Sequence, residues 1–120
     1  MEDKEYLKGM YCRSRLMIYK DEMVLGPGVV RLLELVKETQ SLSQSCRQMG
    51  MAYSKAWKLI KKAEEGCKVQ LMFGVRGGKN GGSTKLTKEG EELLQKYRTM
   101  EAKMHKAMDD IFEKVFMEKE

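Results

Sequence analysis

Alternating polar and apolar residues near the N-terminus predict a strand, because side chains on a strand point to opposite faces in turn. We expect this strand over residues 13–19 and a short return strand over residues 23–25, after a turn at 20–22. One strand face carries Ser14, Leu16 and Ile18, and the other carries Arg15, Met17 and Tyr19. Gly26-Pro27-Gly28 then ends the alternation, so the pattern predicts a small N-terminal strand pair.

Beyond this break, apolar residues recur every three or four positions, which is the spacing of one helix face. The recurring residues are Val29, Leu32, Leu33 and Val36, and they predict a helix from about Gly28 to Thr39. Pro27 suits the start of this helix, since proline is accepted in the first helical turn.

Two further short helices are predicted, separated by Gly50-Met51-Ala52. The first spans residues 43–49, with Ser43 as its N-cap and the turn glycine just beyond its end. The second runs from about Tyr53 to Glu65, and Gly66 ends it. Two short helices joined by a three-residue turn are typical of a helix-turn-helix.

A glycine-rich loop follows the second of these helices. Residues 69–73 (VQLMF) alternate and favour a strand, and Lys85-Leu86 supplies the return strand. The loop between them reads GVRGGKNGGSTK, with five of the chain's 11 glycines, the cations Arg76, Lys79 and Lys85, and no acid. Because such a loop cannot form a core, we interpret it as a hairpin "wing" that lies along a phosphate backbone.

A long last helix is predicted from Thr87, a good N-cap, to about Glu118. Its apolar residues step by four and three positions, the heptad seam of a coiled coil. The seam residues are Leu93, Tyr97, Met100, Met104, Ala107 and Ile111. At 1.5 Å per residue the helix approaches about 45 Å, longer than a small domain covers. We therefore expect a homodimer through this helix; the alternative is a helix that folds back on its own domain.

The cations are concentrated in one part of the chain. The net charge is +5, from 23 Lys and Arg against 18 Asp and Glu. Residues 53–88 contain nine of the cations and two of the acids, which leaves 14 and 16 for the rest, so this stretch carries +7 and the remainder −2. A local basic stripe is the electrostatic footprint of a protein that binds a polyanion, although a solvated face would carry the same charges.

Enzymatic functions fit the sequence poorly. His105 is the only histidine, and it lies among charged residues of the last helix. A Walker motif built on Gly78-Lys79 fails, because Phe73 and Asn80 occupy the positions that need glycine and a hydroxyl residue. Arg31 likewise stands where a dinucleotide fingerprint after Gly26 needs its third glycine. We expect no enzyme activity, no cofactor and no metal.

The cysteines and the hydropathy indicate the compartment. Cys12, Cys46 and Cys67 lack the paired spacing of a zinc site, and an odd number favours a reducing cytosol. No apolar run approaches the roughly 20 residues needed to span a bilayer. We expect a cytoplasmic protein with no membrane partner. A small-ligand or metal sensor that uses Cys46 or Cys67 remains an alternative.

Several short motifs match a known family. They are Ser41-Leu42-Ser43; Gly50, Tyr53, Ala56 and Trp57; Gly77-Gly78-Lys79 and Gly81-Gly82; and Leu86-Thr87-Lys88-Glu89-Gly90 with Leu93-Leu94 and Tyr97. Over about residues 13–100 the chain resembles the ModE-like winged helix-turn-helix family, the DNA-binding part of molybdate-responsive transcription regulators. It is more distantly similar to the DNA-binding domain of LysR-type regulators.

The chain also departs from that family. Asn80 interrupts a wing position usually filled by glycine, and Ala52 stands where serine is common. Full-length molybdate regulators carry a C-terminal oxyanion-binding domain, and these 120 residues contain no counterpart of it. The resemblance is therefore to the stand-alone form, and we expect no molybdate sensing.

The resemblance implies a mainly α fold with small β, a winged helix-turn-helix with an N-terminal strand pair and a long C-terminal dimerisation helix. We assign residues 1–86 to the DNA-binding domain and residues 87–120 to the dimerisation helix, within one compact unit. In a helix-turn-helix the second helix enters the major groove. The expected DNA-contacting residues are Tyr53, Ser54, Lys55, Trp57, Lys58 and Lys61 on that helix, Ser43 and Gln44 before it, and Arg76, Lys79 and Asn80 in the wing.

The predicted function is a dimeric, sequence-specific transcription regulator that binds double-stranded DNA. Tyr53 and Trp57 could instead pack internally, and Lys61 could simply be solvated. The alternative function is a protein-interaction module whose basic face and long helix bind an acidic partner.

Overall fold

The computed structural model describes residues 5–76 and 82–118. A 3₁₀ turn, Glu5–Leu7, precedes the main elements. The strands are β1 (Ile18–Lys20), β2 (Glu22–Leu25), β3 (Met72–Val75) and β4 (Ser83–Leu86), and the helices are α1 (Pro27–Thr39), α2 (Leu42–Met49), α3 (Tyr53–Cys67) and α4 (Lys88–Phe116). The strands form two separate antiparallel pairs, β1–β2 and β3–β4. This arrangement confirms the predicted mainly α fold with small β and its winged helix-turn-helix order.

The N-terminal hairpin is shorter than the alternation predicts. Its paired part begins at Ile18 rather than at residue 13, and Asp21 makes the tight turn with a left-handed φ of 63°. Leu16 is nevertheless buried and Ile18 half-buried, while Arg15, Met17 and Tyr19 are exposed, so the predicted faces hold over residues 15–19. Ser14, predicted on the inner face, is exposed. Strand-like alternation here reflects docking on the core and not a longer ladder.

Helix α1 is the centre of the core. It begins with Pro27 after Gly26, and its apolar face is fully buried, as the spacing of its residues predicts. It packs against α2, α3, α4 and β4. The helix ends where Gln40 adopts the left-handed conformation and donates its N–H to the Val36 carbonyl at 2.8 Å.

Hydroxyl groups hold the corner between α1 and α2. The Thr39 hydroxyl donates to the Leu35 carbonyl at 2.8 Å, and the buried Ser45 hydroxyl donates to the Ser41 carbonyl at 2.7 Å. Ser41, not Ser43, caps α2: its Oγ accepts the Gln44 N–H at 3.0 Å. The predicted N-cap was wrong because Ser43 already lies in the first helical turn, where its side chain is exposed.

Helix α3 continues two residues beyond its predicted end. Gly66 lies inside its last turn, and Lys68 provides the left-handed cap with a φ of 57°. A Cβ built at Gly66 would overlap Cγ1 of Val24 on β2. Gly66 therefore serves the close approach of helix and hairpin, and the prediction that it ends the helix was wrong.

The second hairpin is anchored to the rest of the fold at both ends. The Thr84 N–H of β4 donates to the Gln40 carbonyl at 2.9 Å. Near the start of β3, the Leu71 N–H donates to Oε2 of Glu64 on α3 at 2.8 Å. Tertiary contacts thus place β3 three residues later than its sequence pattern predicts, and β4 begins two residues earlier.

Helix α4 begins at a cap that the sequence predicts correctly. The Thr87 Oγ1 accepts the Gly90 N–H at 2.9 Å and donates to the Gln70 carbonyl at 2.6 Å. A Cβ built at Gly90 would overlap the Leu71 carbonyl oxygen, so the helix is in backbone contact with the residue just before β3. The 29 residues of α4 give a length of about 43 Å.

Side chains fasten the first half of α4 to its own domain. The Tyr97 hydroxyl donates to the Leu16 carbonyl at 2.5 Å in a buried position. Arg98 binds both carboxylate oxygens of Glu34 on α1, with Nε 2.9 Å from Oε2, and also binds Glu101. The hydrogen bonds from Arg98 hold the pKa of Glu34 below its usual range, in spite of partial burial.

These contacts correct part of the predicted seam. Tyr97 is 2% exposed and belongs to the core of its own chain, so it is not free for a second chain, and Leu93 packs against the same core. The uncovered apolar side chains lie further along: Met100, Ala107, Ile111, Val115 and Phe116 are exposed. The predicted alternative, a helix folded back on its domain, describes the first half of α4 only.

No helix in the described ranges is long and apolar enough to cross a membrane.

The close contact at Gly66 gives a stability prediction. Gly66→Ala should destabilise the fold by about 1–3 kcal/mol in urea unfolding, because the added methyl overpacks the helix–hairpin contact. Helix propensity alone would make the alanine variant about 1 kcal/mol more stable. A measured loss of stability would therefore show that the packing effect is the larger of the two.

Two variants make this prediction specific. Adding Val24→Ala should recover part of the loss, since it removes the Cγ1 methyl group that the added Cβ overlaps but keeps the Val24 Cβ, which is 2.8 Å away. Gly28→Ala is the matched control, because a Cβ there meets only Leu59 Cδ1 at 3.9 Å. A Gly66→Ala protein as stable as wild type would contradict the packing described.

Candidate nucleic-acid interface

The turn between α2 and α3 has a defined geometry. Gly50 adopts a left-handed φ of 63°, and the Met51 N–H donates to the Cys46 carbonyl at 2.9 Å. This closes α2 with a Schellman-type cap, so the chain reverses within three residues. Ala52 then precedes α3 without a side-chain capping hydrogen bond. The predicted helix-turn-helix is confirmed.

A polar row runs along the outer face of α3. The buried residues Ala56, Ile60 and Ala63 face the core, which leaves the predicted residues Ser54, Lys55, Lys58 and Lys61 exposed. Ser54 and Lys58 are one turn apart and share a face. Glu22 on β2 lies 3.6 Å from Lys62, in an exposed ion pair, whereas the described contacts give Lys55, Lys58 and Lys61 no ion pair. The row therefore presents free cations beside a small polar side chain.

Two aromatic residues mark the start of α3. Tyr53 is 50% exposed, and its ring meets the Trp57 ring edge-on, with the centroids 6.2 Å apart. Trp57 is half-buried and packs against the core. Trp57 thus supports the helix from within, and Tyr53 projects from it.

The start of α2, the start of α3 and the wing border one cleft. Its volume is about 320 Å³, and its lining residues are Ser41, Leu42, Ser43, Tyr53, Gly74, Val75, Arg76, Gly82, Ser83 and Thr84. Ser43 and Arg76 both line it, and Gln44 is exposed beside it. Lys79 and Asn80, also predicted as DNA contacts, lie outside the described residues, as do Gly77, Gly78 and Gly81.

The structure adds residues that the sequence pattern missed. Arg47 is exposed on α2 and lines a second cleft of about 310 Å³ with Ser43, Cys46, Met51 and Tyr53. Ser83 and Thr84 join the first cleft because β4 begins earlier than predicted. The four-residue spacing of Ser43 and Arg47 would have indicated Arg47, since residues at that spacing share a helix face. Nothing local in the sequence would have indicated Ser83.

The thiols of the fold are poorly suited to ligand chemistry. Burial raises the pKa of the Cys46 thiol, and burial also raises that of Cys67 against a smaller opposing effect of Lys20. Both groups therefore favour the protonated form, which is a weak nucleophile and metal ligand. Within residues 5–76 and 82–118, no group of three or more His, Cys, Asp or Glu side chains could hold a metal ion.

The sequence of this region matches a defined family. The profile described as bacterial regulatory helix-turn-helix protein, lysR family, matches residues 29–91, just over half of the chain. The chain belongs to this family. The matched range runs from α1 into the first turn of α4 and so includes both helices of the helix-turn-helix.

Curated relatives share the same part of the chain. A transcriptional regulator ModE of Yersinia pestis is 33% identical over 92 residues, which cover 77% of this chain and 35% of the relative. The DNA-binding transcriptional dual regulator ModE of Escherichia coli K12 is 29% identical over 90 residues, 75% of this chain and 34% of its own length. A molybdenum transport protein ModE of Azotobacter vinelandii is 29% identical over 86 residues, with coverages of 72% and 32%. The chain spans about a third of the length of these relatives.

The two serines at the start of α2 provide a test of this site. Ser41→Ala should destabilise the protein by about 1 kcal/mol in urea unfolding, because it removes the cap of α2. Ser43→Ala should leave stability within about 0.5 kcal/mol of wild type, as an exposed substitution does. A larger loss of stability in Ser43→Ala than in Ser41→Ala would show that Ser43 is the cap.

Proposed function

We propose that the chain binds double-stranded DNA as a homodimer, with α3 in the major groove and the β3–β4 wing on the phosphate backbone. The observation that carries the proposal is the exposed row Ser54, Lys55, Lys58 and Lys61 on the second helix of a helix-turn-helix. In this motif the N-terminal residues of the second helix reach base edges. Lysine pairs with guanine edges or phosphates, and serine bonds to either partner of a base pair.

Phosphate contacts would come from both sides of α3. Ser43 and Arg76 both line the cleft between α2 and the wing, and Tyr53 and Arg47 line the adjacent cleft. Exposed hydroxyl and guanidinium groups are the usual donors to phosphate oxygens. Gln44 would add a donor at the start of α2, and Lys79 and Asn80 would extend the wing contacts by virtue of their position in the loop.

The second half of α4 supports the dimer. Ala107 and Ile111 continue an apolar face that starts at Met100, and Val115 and Phe116 extend it, with Phe112 stacked on Phe116 at 5.0 Å between centroids. Exposed apolar surface of this kind is costly in water, and a second copy would cover it. Met104 would contribute at the inner border of the seam, where it is half-buried. Two copies would read half-sites about one helical turn, roughly 34 Å, apart.

No molybdate site is proposed for these residues. The relative named as a molybdenum transport protein, ModE of Azotobacter vinelandii, is matched over 32% of its own length. A cytoplasmic location fits a transcription regulator of this family and the chemistry of the site.

Charge reversal on α3 and the wing tests DNA binding. Lys58→Glu or Arg76→Glu should lower the affinity for DNA by about tenfold or more, because each replaces an attractive contact with a repulsive one. Affinity measured by fluorescence anisotropy on fragments selected from the source genome should also fall steeply with salt, and less steeply in each variant.

Lys106→Glu is the matched control, since Lys106 is exposed on α4, away from both clefts. It should bind DNA within about twofold of wild type. If wild type shows no binding to any fragment at low salt, or if all three reversals behave alike, the proposed interface is wrong.

Two alanines on α4 test the dimer. Ala107→Asp should raise the dimer dissociation constant by about tenfold or more in analytical ultracentrifugation, because it places a charge in the apolar seam. Ala102→Asp is the control: Ala102 is also exposed on α4 but lies on the opposite side of the heptad. It should remain dimeric at the same concentration. A monomeric wild type would contradict the proposed assembly.

A further inference from the structure

The segment before β1 carries a row of exposed side chains that DNA binding does not use. Tyr11, Met17 and Tyr19 are 75%, 45% and 63% exposed, and Arg13 and Arg15 are exposed between them. We call these five residues the N-terminal face. They occupy every second position of residues 11–19. Between them Leu16 and Ile18 pack on the core, Cys12 is half-buried and Ser14 is exposed.

The position of this face is set by the core. Leu16 is buried, and its carbonyl accepts the Tyr97 hydroxyl of α4. None of its five residues lines either of the two clefts beside α3. The N-terminal face is thus a surface held in place by packing, and it is separate from the interface proposed for DNA.

The composition of the face indicates the class of partner. Tyrosine, methionine and arginine are enriched at protein–protein interfaces, and tyrosine and arginine are frequent hot-spot residues. From residue 9 to residue 20 the chain has three cations and no acid. A phosphate backbone would use the arginines but offers no apolar surface to Met17 and Tyr19. An acidic peptide with apolar side chains matches both features.

The backbone offers a way for such a peptide to bind. In the described part of the chain β1 pairs with β2 alone, in a sheet of two strands, so no strand lies beside its other edge. No described backbone hydrogen bond joins residues 11–17 to another strand. An extended peptide can add itself to an open edge through main-chain hydrogen bonds, while alternate side chains contact the neighbouring surface.

We propose that the N-terminal face binds an acidic, extended segment of another protein, which lies along the backbone of residues 11–17 and continues onto the edge of β1 that has no strand beside it. Alternating acids of that segment would contact Arg13 and Arg15, and its apolar side chains would pack on Met17 and Tyr19. The regulator would then hold DNA with α3 and a protein partner with the hairpin at its N-terminus.

The experiment uses the full chain and a fluorescein-labelled peptide in which glutamate and valine alternate. Fluorescence anisotropy should show saturable binding to wild type. Arg13→Glu or Arg15→Glu should each weaken binding by about fivefold or more, and Tyr19→Ser should weaken it as well. Lys106→Glu, an equal change of charge on α4, should stay within about twofold. The substituted residues are all exposed, and a urea unfolding curve checks that each variant is folded.

Changes in the peptide separate edge pairing from simple charge attraction. A peptide with lysine in place of glutamate should not bind. A peptide N-methylated at alternate residues should bind about fivefold more weakly or worse when the blocked N–H groups are those that face β1. Equal loss with Lys106→Glu, or no binding by wild type, would overturn the proposal.

Two further outcomes would assign the face elsewhere and so also overturn the proposal. A loss of DNA affinity in Arg13→Glu, with peptide binding unchanged, would make the face part of the DNA interface. Conversion of the dimer to monomer by Arg15→Glu or Tyr19→Ser would make it a contact between two copies of the chain. DNA affinity of all three variants is expected within about twofold of wild type.

Discussion

The hydrogen bond from the Thr84 N–H to the Gln40 carbonyl joins the parts of the molecule that must act together. Gln40 ends α1, Ser41 caps α2, and Thr84 belongs to the wing, so this corner sets the wing against the helix-turn-helix. Within residues 5–76 and 82–118 no buried side-chain nitrogen or oxygen atom lacks a hydrogen-bond partner, which lowers the cost of burying this polar corner in part. The position of the wing at this corner sets the cleft between α2 and the wing.

Local signals in the sequence were sufficient for the elements that depend on local interactions. The apolar spacing of α1, the turn at Gly50 and the cap at Thr87 all appear as predicted, because a helix face, a left-handed glycine and a hydroxyl cap are decided within a few residues. Gly66 and the strands of the wing were misplaced for the opposite reason. The positions of Gly66 and β4 depend on Val24 and Gln40, which are distant in the sequence, and the position of β3 depends on the side chain of Glu64, seven residues before Leu71.

The candidate site also has one part that local sequence predicts and one part that depends on tertiary contacts. The lysine row on α3 could be predicted, since a helix with one apolar face must expose the other. Tyr97 could not be separated from the heptad seam, because burial by its own chain depends on where residue 16 docks. Arg98 strengthens that docking by binding Glu34 through both carboxylate oxygens. One periodic pattern on α4 thus serves two purposes, an intrachain contact first and an uncovered surface later.

The backbone contact at Gly90 has a consequence for how relatives of this chain are compared. Any side chain at that position would collide with the Leu71 carbonyl oxygen, so Gly90 is required by the close packing of α4 on the chain just before β3. It carries no information about which operator is bound. Two regulators can therefore share this motif and bind unrelated DNA sequences, whereas the proposed docking of α3 makes residues 54, 55 and 58 the positions at which a substitution would change the bound sequence.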